Sequence, residues 1–188
     1  MFSPLTKEIL EESISFSCGN EDLDGFFHND AVSYADNLFG KSYCYYLEES
    51  KADIVCAFTV SNASIFPPSP PNARKKKVGK HVPHIKQDLI YPAVLIGRLG
   101  ISTPCQHLHI GTEVTDFIKY WFVEPPPPQG CRYLVVDAYN EDVPVAFYKK
   151  NGFDFMFSTE EQEKSYRGIV SDKPLKTRLM YFDLILIK

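Results

Sequence analysis

Two stretches of nearly uninterrupted apolar residues, separated by one helical pattern, limit most strongly what this chain can fold into. Residues 93–101 and 132–138 are predicted as strands covered on both faces, because a half-exposed strand would alternate with polar residues. Between them, residues 111–123 carry apolar side chains at helical steps, and prolines 125–128 end the helix. Two buried strands joined by a helix are expected to be parallel, with a right-handed connection.

The remaining pattern predicts antiparallel neighbours. A helix is expected to start at the N-cap Asn20 and to bury one apolar stripe, formed by Leu23, Phe26, Phe27, Ala31, Tyr34 and Leu38. Further elements are a hairpin of two strands, a short helix and two final strands, at residues 42–48, 53–65, 141–151, 153–157 and 178–187. The expected fold class is α/β, with a mixed, mostly antiparallel sheet that has a central parallel strand pair and is flanked by helices.

The length of 188 residues predicts a single domain over residues 1–188. A proline-rich and basic excursion interrupts it at about residues 66–91, and long loops of this kind often serve as lids or binding loops. The net charge of −4 argues against a protein that coats nucleic acid, although Arg74 to Lys77 form a local basic run. That run is interpreted as a solvated loop.

Cysteine and histidine spacing predicts no disulfide framework and no metal site, because the five cysteines include no CxxC pair and the five histidines are irregularly placed. The N-terminus has no long apolar segment, and the apolar C-terminus is too short to span a bilayer. We therefore expect a cytoplasmic protein without membrane contact. Exposed sheet edges leave room for a homodimer.

The connection between the first buried strand and its helix is a candidate anion site. The strand leads into a loop at residues 102–110 and a helix that opens at Gly111. Unpaired amides at a helix N-terminus converge on one point and bind phosphate. The alternative is an ordinary strand-to-helix connection.

A second candidate is Tyr148, in the helical run from Phe147 to Phe153 that follows the second buried strand. A phenol with a pKa near ~10 is a fair acid for a thiolate of comparable basicity. The alternative is an aromatic side chain that only packs the helix on the sheet.

In this order, the features resemble the GNAT N-acetyltransferases. Gln106 and Gly111 match the pyrophosphate-binding turn of that family, but His109 stands where the family has its first glycine. The segment 97–101 resembles the family's bulged strand, and the Tyr148 helix resembles its catalytic helix. The opening segment, residues 16–27, resembles the branch that includes toxins acetylating aminoacyl-tRNA.

The resemblance implies the GNAT fold, in which the central strand pair is splayed, with acetyl-CoA as cofactor and Tyr148 as general acid. It implies that acetyl-CoA is bound by Leu99, Ile101, Gln106, His107, Leu108, His109, Ile110, Gly111, Thr112 and Asn140. The acceptor would be a primary amine of a small molecule, an aminoacyl group or a peptide.

Two alternatives stay open. One is a toxin that acetylates aminoacyl-tRNA, which the acidic composition does not favour. The other is a non-catalytic module that binds acyl-CoA or protein, which His109 at the glycine position motivates. No general base is evident, and the candidates are Glu113, His81, His84 and His109.

Overall fold

The computed structural model describes residues 1–13, 16–47, 50–66, 76, 78–83 and 90–188. Within it the chain divides into two compact units, of residues 1–61 with 96–115 and of residues 62–95 with 116–188. The single domain expected from chain length stays a prediction. Most of the basic run and the proline-rich residues 67–71 lie outside the described residues.

The first unit begins with three short helices and two antiparallel strands. Its elements are β1 (Phe2–Pro4), α1 (Lys7–Glu12), α2 (Glu21–Gly25), a π-helical turn (Phe26–Asp30), α3 (Ala31–Asp36) and β2 (Lys41–Leu47). It also holds most of β3 (Ser50–Ile65) and the C-terminal part of β4 (Tyr91–Ile101). The helix α4 (Ile110–Trp121) starts there, after a 3₁₀ turn at Thr103–Cys105.

Asn20 caps α2 as predicted, and its side-chain oxygen accepts a 3.1 Å hydrogen bond from the Leu23 amide. The apolar stripe holds as far as Tyr34, but the prediction that Leu38 is buried is wrong. Its exposed fraction is 90 %, and it lies beyond the end of α3. In the π-helical turn the Ala31 amide donates to the Phe26 carbonyl, five residues earlier, and this extra residue shifts the helical register.

The second unit carries the other half of the sheet. Its elements are β5 (Tyr133–Tyr139), α5 (Asp142–Lys150), β6 (Asp154–Phe155), α6 (Glu160–Arg167), β7 (Thr177–Asp183) and a 3₁₀ turn (Leu184–Ile187). The predicted last strand over residues 178–187 is too long by four residues, because Asp183 caps the turn through its side chain. The predicted strand 153–157 is likewise reduced to β6.

The strands are hydrogen-bonded in the order β1-β2-β3-β4-β5-β7-β6. β4 and β5 are parallel, and the Arg132 amide donates to the Pro92 carbonyl at 3.0 Å where the two strands begin. The pairs β1–β2, β2–β3, β5–β7 and β6–β7 are antiparallel. The predicted mixed, mostly antiparallel α/β sheet with a central parallel pair is therefore confirmed.

Each unit has its own apolar core. In the first, the side chains of Phe16, Phe26 and Phe27 pack on Cys44 and Ala57 of the sheet. In the second, residues from β4, β5 and β7 pack with Ile65, Met156, Phe157 and Val78. Val78 is 1 % exposed, and its carbonyl accepts a 2.7 Å hydrogen bond from the Tyr133 hydroxyl. The described part of the excursion is thus anchored on this core.

Candidate active site

The loop between β4 and α4 has an unusual backbone. His107 and His109 both have positive φ angles, of 64° and 63°. Alternation of left-handed residues with other conformations turns successive amides toward one side of the chain and makes an anion-binding concavity. The loop is accessible, since His107, Leu108 and His109 are all exposed.

Five consecutive amides of this loop are free to bind a ligand. The first intrahelical bonds of α4 run from the amides of Thr112 and Glu113 to the His109 carbonyl, at 3.0 and 3.2 Å. Among the residues that the structure describes, the amides of residues 107–111 donate to no acceptor. Unpaired amides together with the positive end of the helix dipole favour an oxyanion such as a phosphate. We call residues 107–111 the amide cradle.

The His109 backbone adopts the conformation that a glycine would prefer at this position. Histidine is among the residues that enter the left-handed region more often than most, at a cost of about 1–2 kcal/mol. The exposed side chain leaves the backbone of the turn accessible. Replacement of the usual glycine by histidine therefore preserves the left-handed turn.

Gln106 secures the cradle with its side chain. Its Nε2 atom donates to the carbonyl oxygens of Cys18 at 2.8 Å and Ile101 at 3.1 Å, while its backbone amide donates to Thr103. Neither donor of Gln106 is thus left for a phosphate, and the Thr112 amide is also engaged. That Gln106 and Thr112 bind the cofactor stays a prediction. The observed contribution of Gln106 is to support the loop.

The segment before α2 is a further support that sequence analysis did not identify. Thr103 donates to the Ser17 carbonyl through both its amide, at 2.9 Å, and its hydroxyl, at 3.0 Å. At Gly100, an added Cβ would meet Phe16 and Cys18 at 3.2 Å, so this segment lies directly on β4. The only signal was the resemblance of residues 16–27 to one branch of a family, which assigned them no role.

The same segment is held by Asp24. Its carboxylate accepts hydrogen bonds from the Cys18 amide and the Ser17 hydroxyl, each at 2.8 Å. Burial opposes ionisation, but these hydrogen bonds hold the pKa of Asp24 below its usual value. Burial, helped by Asp24, raises the pKa of the Cys18 thiol to about 11. Cys18 is therefore a neutral thiol near pH 7 and not a nucleophile.

Arg98 packs on aromatic rings in the first unit. Its guanidinium carbon lies 3.6 Å from the centroid of the Phe26 ring and 6.0 Å from that of Tyr34. Such cation–π contacts stabilise the helices on the strand. This packing favours a structural role for Arg98 over contact with a substrate.

In the second unit, Tyr148 is half-buried between two other aromatic rings of its own helix and the following turn. The ring centroids of Phe147 and Phe153 lie 5.1 and 5.4 Å away, and Phe153 in turn packs on Phe182 at 5.7 Å. Burial raises the pKa of Tyr148, so the phenol is protonated at neutral pH. Its hydroxyl has no hydrogen-bond partner within the described part of the chain. It is a proton donor without an internal acceptor.

Comparison with known proteins finds similarity in structure but not in sequence. No family model and no curated protein matches the chain. A crystal structure of a Tyr-to-Phe mutant of KacT is similar, with 18 % identity and a TM-score of 0.70. The superposition spans 100 % of this chain and 96 % of the KacT chain. AtaT complexed with acetyl-methionyl-tRNAfMet has the same coverage, at 19 % identity and a TM-score of 0.69. AtaTR bound with acetyl-CoA covers 100 % with 94 %, at 18 % identity and a TM-score of 0.60.

The chain has the GNAT fold. The resemblance predicted from sequence is thereby confirmed at the level of the fold. On this GNAT fold, the loop that carries the amide cradle follows β4, and the helix that carries Tyr148 follows β5, as the sequence predicted.

Asn140 follows β5, where it was predicted to bind the cofactor. Its Nδ2 atom donates to Glu160 Oε1 at 2.8 Å and to the Leu175 carbonyl at 2.9 Å. Both hydrogen bonds tie the start of α6 to the segment before β7. A cofactor contact through Asn140 stays a prediction, and the side-chain oxygen is the group left to make it.

The structure assigns no specific role to the predicted strand residues Leu99 and Ile101 or to the candidate bases. Leu99 and Ile101 lie in β4, and the Ile101 carbonyl already accepts from Gln106. Of the candidate bases, Glu113, His81 and His109 are exposed, whereas His84 lies outside the described residues. No observation selects one of them. Among the described residues, none of the helices has the length and apolar character needed to cross a bilayer.

Proposed function

We propose that the protein is an acetyl-CoA-dependent N-acetyltransferase that transfers the acetyl group to a primary amine by direct attack. The observation that carries the proposal is the amide cradle, with five acceptor-free amides in a row at the start of a long helix. A diphosphate is an oxyanion large enough to accept from several of these amides at once.

The cradle residues His107, Leu108, His109, Ile110 and Gly111 would hold the diphosphate through their backbone amides. Leu99 and Ile101 of β4 would offer backbone groups to the pantetheine arm. Acetyl-CoA supplies an acetyl thioester, whose carbonyl carbon is open to attack by an amine. The overall transfer balances, since nitrogen loses one proton and sulfur gains one.

Tyr148 would give its phenolic proton to the departing thiolate. Its elevated pKa keeps the proton available at neutral pH, although it also makes Tyr148 a weaker acid than an exposed tyrosine. The absence of an internal acceptor among the described residues leaves the hydroxyl free for this role. Solvent would then return the proton to the phenolate.

The experiment is an acetylation assay with acetyl-CoA and a panel of primary amines, following free thiol release and the mass of the product. We expect product with the wild type and a rate at least about 100-fold lower for Tyr148→Phe. If acetyl-CoA binds but no amine is acetylated, the protein is a binding module on the same fold. If acetyl-CoA does not bind at millimolar concentration, both readings fail.

A second candidate is the acetylation of aminoacyl-tRNA, favoured by the similarity in fold to AtaT in complex with acetyl-methionyl-tRNAfMet. The net charge of −4 does not favour it, because contacts to phosphate dominate RNA binding. Expression in a bacterial host decides: growth arrest that Tyr148→Phe relieves supports this candidate, and normal growth at high expression removes it.

A further inference from the structure

An apolar cavity of about 130 Å³ opens on the second unit, on one face of the sheet. Its walls are side chains from β4, β5, β7, α6 and the turn after β6, namely Leu95, Val135, Leu179, Tyr166, Met156 and Phe157. Val135, Met156 and Phe157 are at most 5 % exposed, and the rings of Phe157 and Tyr166 pack at 4.8 Å. The walls are therefore well packed and the cavity is defined in shape.

The size of the cavity selects its occupant. Cavities for whole drug-sized ligands measure roughly 300–1,000 Å³, whereas an engineered apolar cavity of roughly 150 Å³ holds a single benzene. This cavity thus fits one apolar side chain and not an entire substrate.

One carboxylate, that of Asp137, lines this mostly apolar cavity, which also has Ser64 at its wall. Its Oδ1 atom accepts from Arg167, and from Thr177 at 3.5 Å. Arg167 is in turn held by the fully buried Glu163, at 2.7 Å, which also accepts from Arg178. Within the described part of the chain, Asp137 Oδ2 has no hydrogen-bond partner, so it is free to accept one from a ligand.

The cavity and Tyr148 lie on opposite faces of β5. Val135 and Asp137 point to the cavity face, and Leu134 points to the other because side chains alternate along a strand. Leu134 is opposite Phe182 in the register of β5 and β7, and Phe182 packs on Phe153, which packs on Tyr148. The amine bonds to the carbonyl carbon and the acid protonates the sulfur on that carbon, so the acceptor role requires the thioester to lie within reach of both faces of β5.

We propose that this cavity is the acceptor subsite, which receives the apolar side chain of a primary amine while Asp137 Oδ2 accepts a hydrogen bond from its nitrogen. The proposal rests on the proposed acetyltransferase function and names its substrate class. The side chain has the size of that of methionine or leucine. Asp137 orients the amine and does not exchange a covalent bond with it.

The test compares methioninamide with glycinamide on the wild type and on Ala63→Phe, which fills the cavity from its β3 wall. Asn62→Phe is the matched control, because Asn62 is exposed on the same strand and does not line the cavity. Two measurements are made: kcat/KM for acetylation, and methyl NMR shifts of Leu95, Met156 and Leu179 on titration with each amide.

For the wild type and Asn62→Phe, we expect kcat/KM to be roughly tenfold or more higher for methioninamide than for glycinamide. This factor corresponds to the free energy gained by burying about two methylene groups. Methioninamide should shift the methyl signals and glycinamide should not. In Ala63→Phe the preference should fall to within about twofold. In Asp137→Asn, which keeps the cavity, KM for both amides should rise several-fold with the preference retained.

An equal rate for the two amides with the wild type, or unshifted methyl signals, overturns the proposal. The proposal is also overturned if folded Ala63→Phe still prefers methioninamide over glycinamide. Methyl shifts without acetylation of these amides or of any amine in the panel would instead refute the acetyltransferase function and with it the acceptor role, leaving a cavity that binds side chains. The two failures are therefore distinguishable.

Discussion

The Gln106 side chain donates a 2.8 Å hydrogen bond to the carbonyl oxygen of Cys18, 88 residues earlier in the chain. This bond links the loop that carries the amide cradle to the segment that leads into α2. The same Nε2 atom also reaches the Ile101 carbonyl at the end of β4. The backbone of residues 107–111 is therefore set by contacts distant in sequence as well as by its own residues.

Replacement of Gln106 should weaken the cradle without touching a ligand. Gln106→Ala removes two hydrogen bonds worth about 1 kcal/mol each, so the free energy of unfolding should fall by about 1–2 kcal/mol. Because the loop is then less ordered, calorimetry should give a Kd for acetyl-CoA raised by about tenfold. Gln129→Ala, outside the loop, is the control, and an unchanged Kd in Gln106→Ala would refute the supporting role.

The left-handed backbone at His109 makes a different prediction. His109→Gly fits this conformation freely, so acetyl-CoA affinity should be equal to or higher than that of the wild type. His109→Val places a β-branched side chain at positive φ, which should cost about 1–2 kcal/mol and raise the Kd about tenfold. His81→Val serves as the control for loss of an exposed imidazole. Equal affinity of the Gly and Val variants would contradict the account.

Tyr148→Phe should separate catalysis from stability and binding. Its hydroxyl has no partner in the described residues, so the free energy of unfolding should change by less than about 0.5 kcal/mol. The Kd for acetyl-CoA should be unchanged, while kcat falls by about 10²- to 10⁴-fold. Tyr120→Phe, at an exposed tyrosine, should leave kcat unaltered. A large loss of affinity in Tyr148→Phe would indicate a binding role instead.

The pH dependence of kcat follows from the same residue. Burial raises the pKa of Tyr148, so the protonated acid persists to higher pH than an ordinary tyrosine with a pKa of about 10. The rate should therefore fall on the alkaline side only above pH about 10, and Tyr148→Phe should lack this limb. If kcat of the wild type already falls below pH 9, and this fall is absent in Tyr148→Phe, then Tyr148 does not act as a phenol with a raised pKa.

Gly152 forms the turn that places Phe153 beside Tyr148. It has a φ of +81°, and an added Cβ would meet the Phe182 ring at 3.1 Å. Gly152→Ala should therefore lower the free energy of unfolding by about 2–3 kcal/mol and reduce kcat. Gly168 has a φ of +67° with open space around it, so Gly168→Ala should cost only about 1 kcal/mol with kcat retained. Urea unfolding measures both, and equal losses would exclude the clash.

The sequence predicted the elements whose side chains follow a period. β4, β5 and α4 bury apolar side chains, and the spacing of these side chains along the chain identifies each element without knowledge of the fold. α6 was missed because Glu160–Arg167 has no apolar stripe, and its fully buried residue is Glu163, paired with two arginines. Leu38 was misassigned because α3 ends at Asp36, and Leu38 follows with a φ of 61° outside the last helical turn.

The sequence predicted where the candidate site lies along the chain, but not the backbone conformation and hydrogen bonds that support it. The loop after β4 and the Tyr148 helix were located from residue types. The left-handed turn at His109 could not be derived, because an L-residue enters that region when its surroundings impose it. Asn140 and Gln106 carry side-chain bonds to Leu175 and Cys18, and such long-range partners are not encoded in spacing.

The most direct test of the cradle is a titration of the ¹⁵N-labelled protein with acetyl-CoA, followed through its backbone amide signals. Binding of the diphosphate predicts that the amide signals of residues 107–111 shift most. Adenosine diphosphate, which carries the diphosphate without the thioester, should shift the same amides. If acetyl-CoA at millimolar concentration leaves these five signals unmoved, the cradle does not bind the cofactor and the central claim is wrong.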